Sequence, residues 1–71
     1  MSESENLILI GKNITKIRKL KKLTIKELGY KCDMEHGNLI PIEKGRINVT
    51  VNTLYKIAIA LEVDIKAFFE F

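Results

Sequence analysis

The chain has 71 residues, enough for one domain with a marginal core. Its one cysteine, Cys32, excludes an intrachain disulfide, and with His36 as the only histidine no four-ligand zinc site is expected. The net charge of +3 is unevenly spread: Lys12, Lys16, Arg18, Lys19, Lys21, Lys22, Lys26 and Lys31 fall in one stretch opposed only by Glu27, while acids gather at the two ends. A polyanion would meet a locally basic half; the plain alternative is a solvated, lysine-rich helix face.

Residues Met1 to Asn6 are polar and read as a frayed tail. The run Leu7-Ile8-Leu9-Ile10 is too short for a signal core or a membrane span, so no membrane association is expected and the default location is the cytoplasm. Ile10, Ile14 and Ile17, with the stem of Lys21, share one face at helical spacing, which predicts a first helix from about Leu9 to Lys22. Thr24-Ile25-Lys26-Glu27 has the form of a capping box and opens a second helix that runs to about Cys32. Asp33 suits the turn that follows, because aspartate tolerates left-handed backbone better than most residues.

The third helix is expected from Glu35 or His36 to Gly45, a good helix stop. The apolar residues Leu28, Cys32, Met34, Leu39 and Ile42 do not fit one straight helix. They fit two short helices crossing steeply, which is the helix-turn-helix pattern. Arg46 to Val49 reads as a loop. Thr50 caps a fourth helix with Val51, Leu54, Ile57, Ala58 and Leu61 on its apolar face. Asp64 can cap a last short helix carrying Ile65, Phe68 and Phe69. The expected fold class is all-α, five short helices in one compact domain.

The ordered set Ile10-Gly11-Lys12, Ile14 to Arg18, Leu23-Thr24, Lys26-Glu27-Leu28, Asn38-Leu39, Ile42 to Gly45, Thr53-Leu54, Ile57-Ala58, Ala60-Leu61 and Val63 resembles the Cro/cI-type (xenobiotic-response-element) helix-turn-helix repressors. The match runs from about Ile10 to Phe69 and implies a lambda-repressor-like domain. The resemblance further implies an ion pair between Arg18 and Glu43, tying the first helix to the end of the third. The family usually has alanine at position 29, where Gly29 meets the steric need but weakens the helix by roughly 1 kcal/mol.

For function, the resemblance implies double-stranded DNA as partner, with the third helix in the major groove. Phosphate contacts then fall to Lys26, Lys44, Arg46 and Asn48, and to the backbone amide of Ile25, which stands where the family has glutamine. Base reading falls to His36, Gly37, Asn38 and the neighbourhood of Pro41, with Glu35 at the mouth of the same helix. For each of these the plain alternative is an ordinary surface residue, or a local cap at Asn38.

Pro41 departs from the pattern. It removes the bond to the Gly37 carbonyl and costs about 3 kcal/mol in a helix interior, so a kinked or shortened third helix is expected. Phe68, Phe69 and Phe71 crowd the chain end and cannot all face one small core. One of Phe68 and Phe69 is expected to plug that core. The rest is expected in a homodimer interface with Tyr55, Leu61 and Ile65. No cofactor, metal or small-molecule effector is expected.

A small dimeric regulator on a palindromic operator is the leading reading; controller proteins of restriction–modification systems, phage repressors and antitoxins all fit it. The second reading is a protein-interaction module with weak DNA binding, its third helix blunted by Ile25, Ile40 and Pro41. An enzyme is set aside: the sequence offers no carboxylate pair with histidine, no serine-nucleophile context, no metal-ligand spacing and no glycine-rich phosphate loop, and Cys32 reads as a core residue of the second helix rather than a nucleophile.

Overall fold

The computed structural model describes residues 2–71. Four α-helices follow one another: α1 (Glu3–Leu20), α2 (Ile25–Cys32), α3 (His36–Glu43) and α4 (Val51–Leu61), with a closing 3-10 turn at Ile65–Phe69. The described residues contain no strand. The fold is all-α as expected, but the fifth element is a five-residue 3-10 turn rather than an α-helix.

Hydroxyls and carboxylates in the sequence set the helix starts. The Glu27 amide donates to Thr24 Oγ1 at 3.1 Å and the Thr24 amide to Glu27 Oε1 at 2.8 Å, completing the capping box. Thr50 accepts from the Thr53 amide, and Asp64 from the Lys66 amide. Helix ends are made by left-handed residues: Asp33 (φ 55°) after α2 and Glu62 (φ 59°) after α4.

Helix α1 begins six residues earlier than its apolar spacing predicts. Ser2 accepts from the Glu5 amide, and Glu3 and Glu5 in the first turn complement the helix dipole, so the expected frayed tail is helical from Glu3. At the other end Lys21 is an exposed cap and lends no stem to the core.

The core is one cluster in which Ile14, Leu28, Leu39, Ile57, Leu61 and Phe68 are fully buried. Helix α1 packs on α3 and the 3-10 turn, while α2 packs on α3 and α4. Phe68 plugs the core, and Asn13 Nδ2 donates to its carbonyl at 3.0 Å, clasping the chain end to α1. Of the five crossing residues, four are buried and Met34 is half-buried against them. Val51, expected on the apolar face of α4, is exposed.

Two glycines let backbone meet backbone. A Cβ on Gly11 would strike the carbonyl oxygens of Glu43 and of Ile42, the latter at 2.7 Å, so α1 lies directly on the end of α3. A Cβ on Gly29 would lie 2.5 Å from the Met34 carbonyl oxygen, in the turn between α2 and α3. The alanine that the sequence resemblance implies at position 29 does not fit this turn.

Helix α3 passes through Pro41 without a break. Leu39 and Ile42, on either side of the proline, are both buried and anchor the helix against the loss of one backbone bond. Beyond it, the Lys44 amide donates to the Ile40 carbonyl at 3.0 Å and the Arg46 amide to the Pro41 carbonyl at 2.9 Å. The helix ends at Glu43, two residues before Gly45, whose φ of 69° turns the chain into the loop.

A candidate nucleic-acid interface

The helix pair is held in register by one charged cluster. Arg18 Nε donates to Glu43 Oε2 at 2.8 Å, and its Nη2 to Oε1 at 3.1 Å. Its Nη1 donates to the Leu23 carbonyl, and Thr15 Oγ1 donates to Glu43 Oε1 at 2.9 Å. Both side chains are largely withdrawn from water, 13% and 6% exposed, so every polar atom here has a partner. The ion pair implied by the resemblance is present in the structure and fixes α1 to the end of α3.

Three open depressions border α3, and they collect most of the sequence-predicted residues. The first is lined by Lys26, Tyr30, Glu35, His36 and Gly37. The second holds Asn38, Pro41, Ile47 and Asn48. The third, between α1 and α3, includes Ile25, Ile40 and Lys44. Arg46 is exposed in the loop after α3 and lines none of them.

Two expectations are refined by this geometry. Ile25 is half-buried and packed on the core, which leaves its amide, at the start of α2, as its polar offering. Asn38 is the third residue of α3 rather than its cap and is exposed; the cap position is Glu35, whose side chain makes no capping bond.

Sequence reasoning passed over Tyr30 and Ile47. Tyr30 stands one turn after Lys26 on α2, 78% exposed, in the same depression as His36. The four-residue spacing from Lys26 was the available signal. Ile47 is exposed beside Asn48 and carries no pattern that sets it apart from a loop residue.

Glu27, although exposed, has its carboxyl held below the usual range by the Thr24 backbone amide and then by the Thr24 hydroxyl, with Lys31 adding to the effect against a small opposing cost of burial. Cys32 is buried and its thiol is pushed up by that burial, the opposite of what a nucleophile needs. Among the described residues no three His, Cys, Asp or Glu side chains come together as a metal site, and no helix is long and apolar enough to cross a membrane.

Of the five residues expected at a dimer interface, Tyr55, Phe69 and Phe71 are exposed. Leu61 is not available: at 1% exposure it is a core residue of α4. Ile65 is half-buried against the core. Two apolar residues that sequence reasoning did not assign to a surface, Val51 and Ile59, are exposed and fall four residues either side of Tyr55, so the three form one stripe along α4.

Known proteins agree with this architecture. A helix-turn-helix family model, HTH_3, matches residues 14–68. An uncharacterized HTH-type transcriptional regulator of Sinorhizobium fredii, y4dJ, is 40% identical over 56 residues, covering 79% of this chain and 73% of that protein. The immunity repressor of Bacillus phage phi105 is 36% identical over 58 residues, covering 82% of this chain and 40% of the repressor. Among solved structures, the restriction–modification controller protein C.AhdI of Aeromonas hydrophila superposes with a TM-score of 0.92 over 97% of this chain and all of its own, at 22% identity, a likeness of fold. An HTH_3 family transcriptional regulator of Vibrio cholerae gives 0.90 over 96% of this chain and 38% of its own, at 28% identity. With the family model matched across most of its length and the Arg18–Glu43 clasp in place, the chain belongs to the HTH_3, xenobiotic-response-element type of helix-turn-helix transcriptional regulators.

Proposed function

We propose that the chain is a sequence-specific binder of double-stranded DNA that acts as a homodimer on a two-fold symmetric operator, as a small repressor or controller protein. The observation that carries this reading is the grouping around α3: Lys26 and His36 line one depression, Asn38 and Asn48 another, and Lys44 the third. Cationic and amide side chains thus border an exposed helix that the Arg18–Glu43 clasp holds in place. His36 and Asn38, in the first turn of α3, are the base readers, and Asn38 suits an adenine edge. Lys26, Lys44, Arg46, Asn48 and the Ile25 amide position the backbone.

The dimer is supported by the exposed stripe Val51-Tyr55-Ile59 and by Phe69 and Phe71. A 71-residue domain that leaves these groups in water gains by covering them with a second copy. Two copies related by a two-fold axis read half-sites roughly 34 Å apart.

The test compares variants on selected DNA. Lys26→Ala and Arg46→Ala should weaken binding evenly across sequences and each lower the salt slope by about 0.9. Asn38→Ala should relax the sequence preference at one base, a loss of about 1–3 kcal/mol on the preferred site. An unchanged preference in Asn38→Ala together with unchanged affinity in the lysine and arginine variants contradicts the assignment.

A further inference from the structure

Beside Lys44, already placed on the DNA backbone, the groove between α1 and α3 carries three lysines that the reading above does not use. Lys12, Lys16 and Lys19 stand on α1, spaced four and then three residues apart, and Lys44 faces them across the groove from the end of α3. The one acid lining the groove, Glu43, is already paired with Arg18 and accepts a hydrogen bond from Thr15. The groove is therefore an uncompensated cationic track of about two helical turns. Its lysines on α1 are exposed, and none of them forms an ion pair among the described residues.

Its place in the fold selects its occupant. His36, Gly37 and Asn38 line the other two depressions, whereas the groove meets α3 only at Ile40, Glu43 and Lys44, toward the far end of that helix. It also meets Thr24 and Ile25 at the start of α2. In the DNA-binding reading, the duplex beyond the base-read sequence offers such a cationic track only its sugar–phosphate backbone. We propose that α1 is a second DNA-binding element, in which Lys12, Lys16 and Lys19 grip phosphates of the duplex flanking the base-read sequence. This inference rests on the DNA-binding reading above and adds a sequence-independent extension to its footprint. An acidic segment of a partner protein is the competing occupant of the same charge pattern.

The test uses the full chain with Lys12, Lys16 and Lys19 all changed to glutamine. All three are exposed, so the thermal transition should match that of the unaltered protein. Affinity is measured against salt on a duplex with long flanks and on one trimmed to the selected sequence. The expected result on the long duplex is a salt slope shallower by about 2.7 per protomer, about 0.9 for each phosphate no longer neutralised. The selected sequence should stay the same, and the unaltered protein should lose a similar increment on the trimmed duplex. A slope that is unchanged in the variant, with the unaltered protein still selecting a defined sequence, overturns the inference. If the unaltered protein selects no sequence at all, the functional reading itself fails.

Discussion

Arg18 and Glu43 are 25 positions apart and meet through two charge-assisted hydrogen bonds, Nε to Oε2 at 2.8 Å and Nη2 to Oε1 at 3.1 Å. Thr15 and the Leu23 carbonyl take up further bonding capacity of the pair. The clasp joins α1 to the end of the helix that faces DNA in the proposed complex. Removing one partner strands the other out of water, so Arg18→Ala and Glu43→Ala should each cost about 3–5 kcal/mol. Replacing both by apolar residues of similar size, Arg18→Met with Glu43→Leu, should recover much of that loss. Chemical denaturation of the three variants measures it, and single variants that lose less than about 1 kcal/mol contradict a buried clasp.

The glycines separate by what surrounds them. Gly29→Ala gains helix propensity but pushes a methyl group onto the Met34 carbonyl, and Gly11→Ala pushes one onto the last carbonyls of α3. Both should lower the melting temperature. Gly37 has open space where a Cβ would go, so Gly37→Ala should stabilise by about 0.5–1 kcal/mol. Thermal melts that rank Gly29→Ala above Gly37→Ala contradict the packing described for the turn.

Pro41 deprives α3 of one backbone bond while Leu39 and Ile42 hold the helix from both sides. Pro41→Arg should restore the bond to the Gly37 carbonyl, raise stability by up to about 3 kcal/mol, and add a cation facing the loop. Both the melting temperature and the DNA affinity should rise. If neither does, Pro41 is not the weak point of α3.

The capping box at Thr24 makes stability depend on pH in a defined direction. Hydrogen bonds from Thr24 hold the Glu27 carboxyl below the usual range, so the folded chain binds fewer protons than the unfolded chain. The stability this confers is present above the ordinary carboxylate range and is lost as pH falls through that range to the lower folded value. Glu27→Gln should keep the bond to the Thr24 amide and flatten this part of the pH profile, while Glu27→Ala should lower stability at neutral pH as well. Urea titrations between neutral and acid pH distinguish the two, and parallel profiles for all three proteins contradict the assignment.

Much of this was legible from local signals. Thr24 and Glu27, Thr50, Asp33 and the spacing of Leu28, Cys32, Leu39 and Ile42 mark caps, a turn and a core within a few residues of each other. Other features depend on partners distant in sequence. The helical start at Glu3 rests on Ser2 and on α1 lying across the end of α3, where Gly11 and Gly45 admit it. Leu61 reads equally as a core or an interface residue until Phe68 closes beneath α4. The stripe of Val51, Tyr55 and Ile59 lies beside an apolar face with the same period, and only packing decides which face turns inward. The DNA-facing set is less legible because exposed lysines and amides look alike on any helix. The depressions around α3 group them, and they also bring in Tyr30, whose spacing from Lys26 gave a signal that composition alone does not.

Selection of bound sequences from random duplex DNA at moderate salt decides whether the chain reads sequence as a dimer. The expected outcome is a two-fold symmetric consensus with half-sites about one helical turn apart, bound by two copies of the chain. Enrichment of no sequence, with weak binding and a shallow salt slope, would contradict it and favour a domain that uses the helix-turn-helix fold to hold another protein.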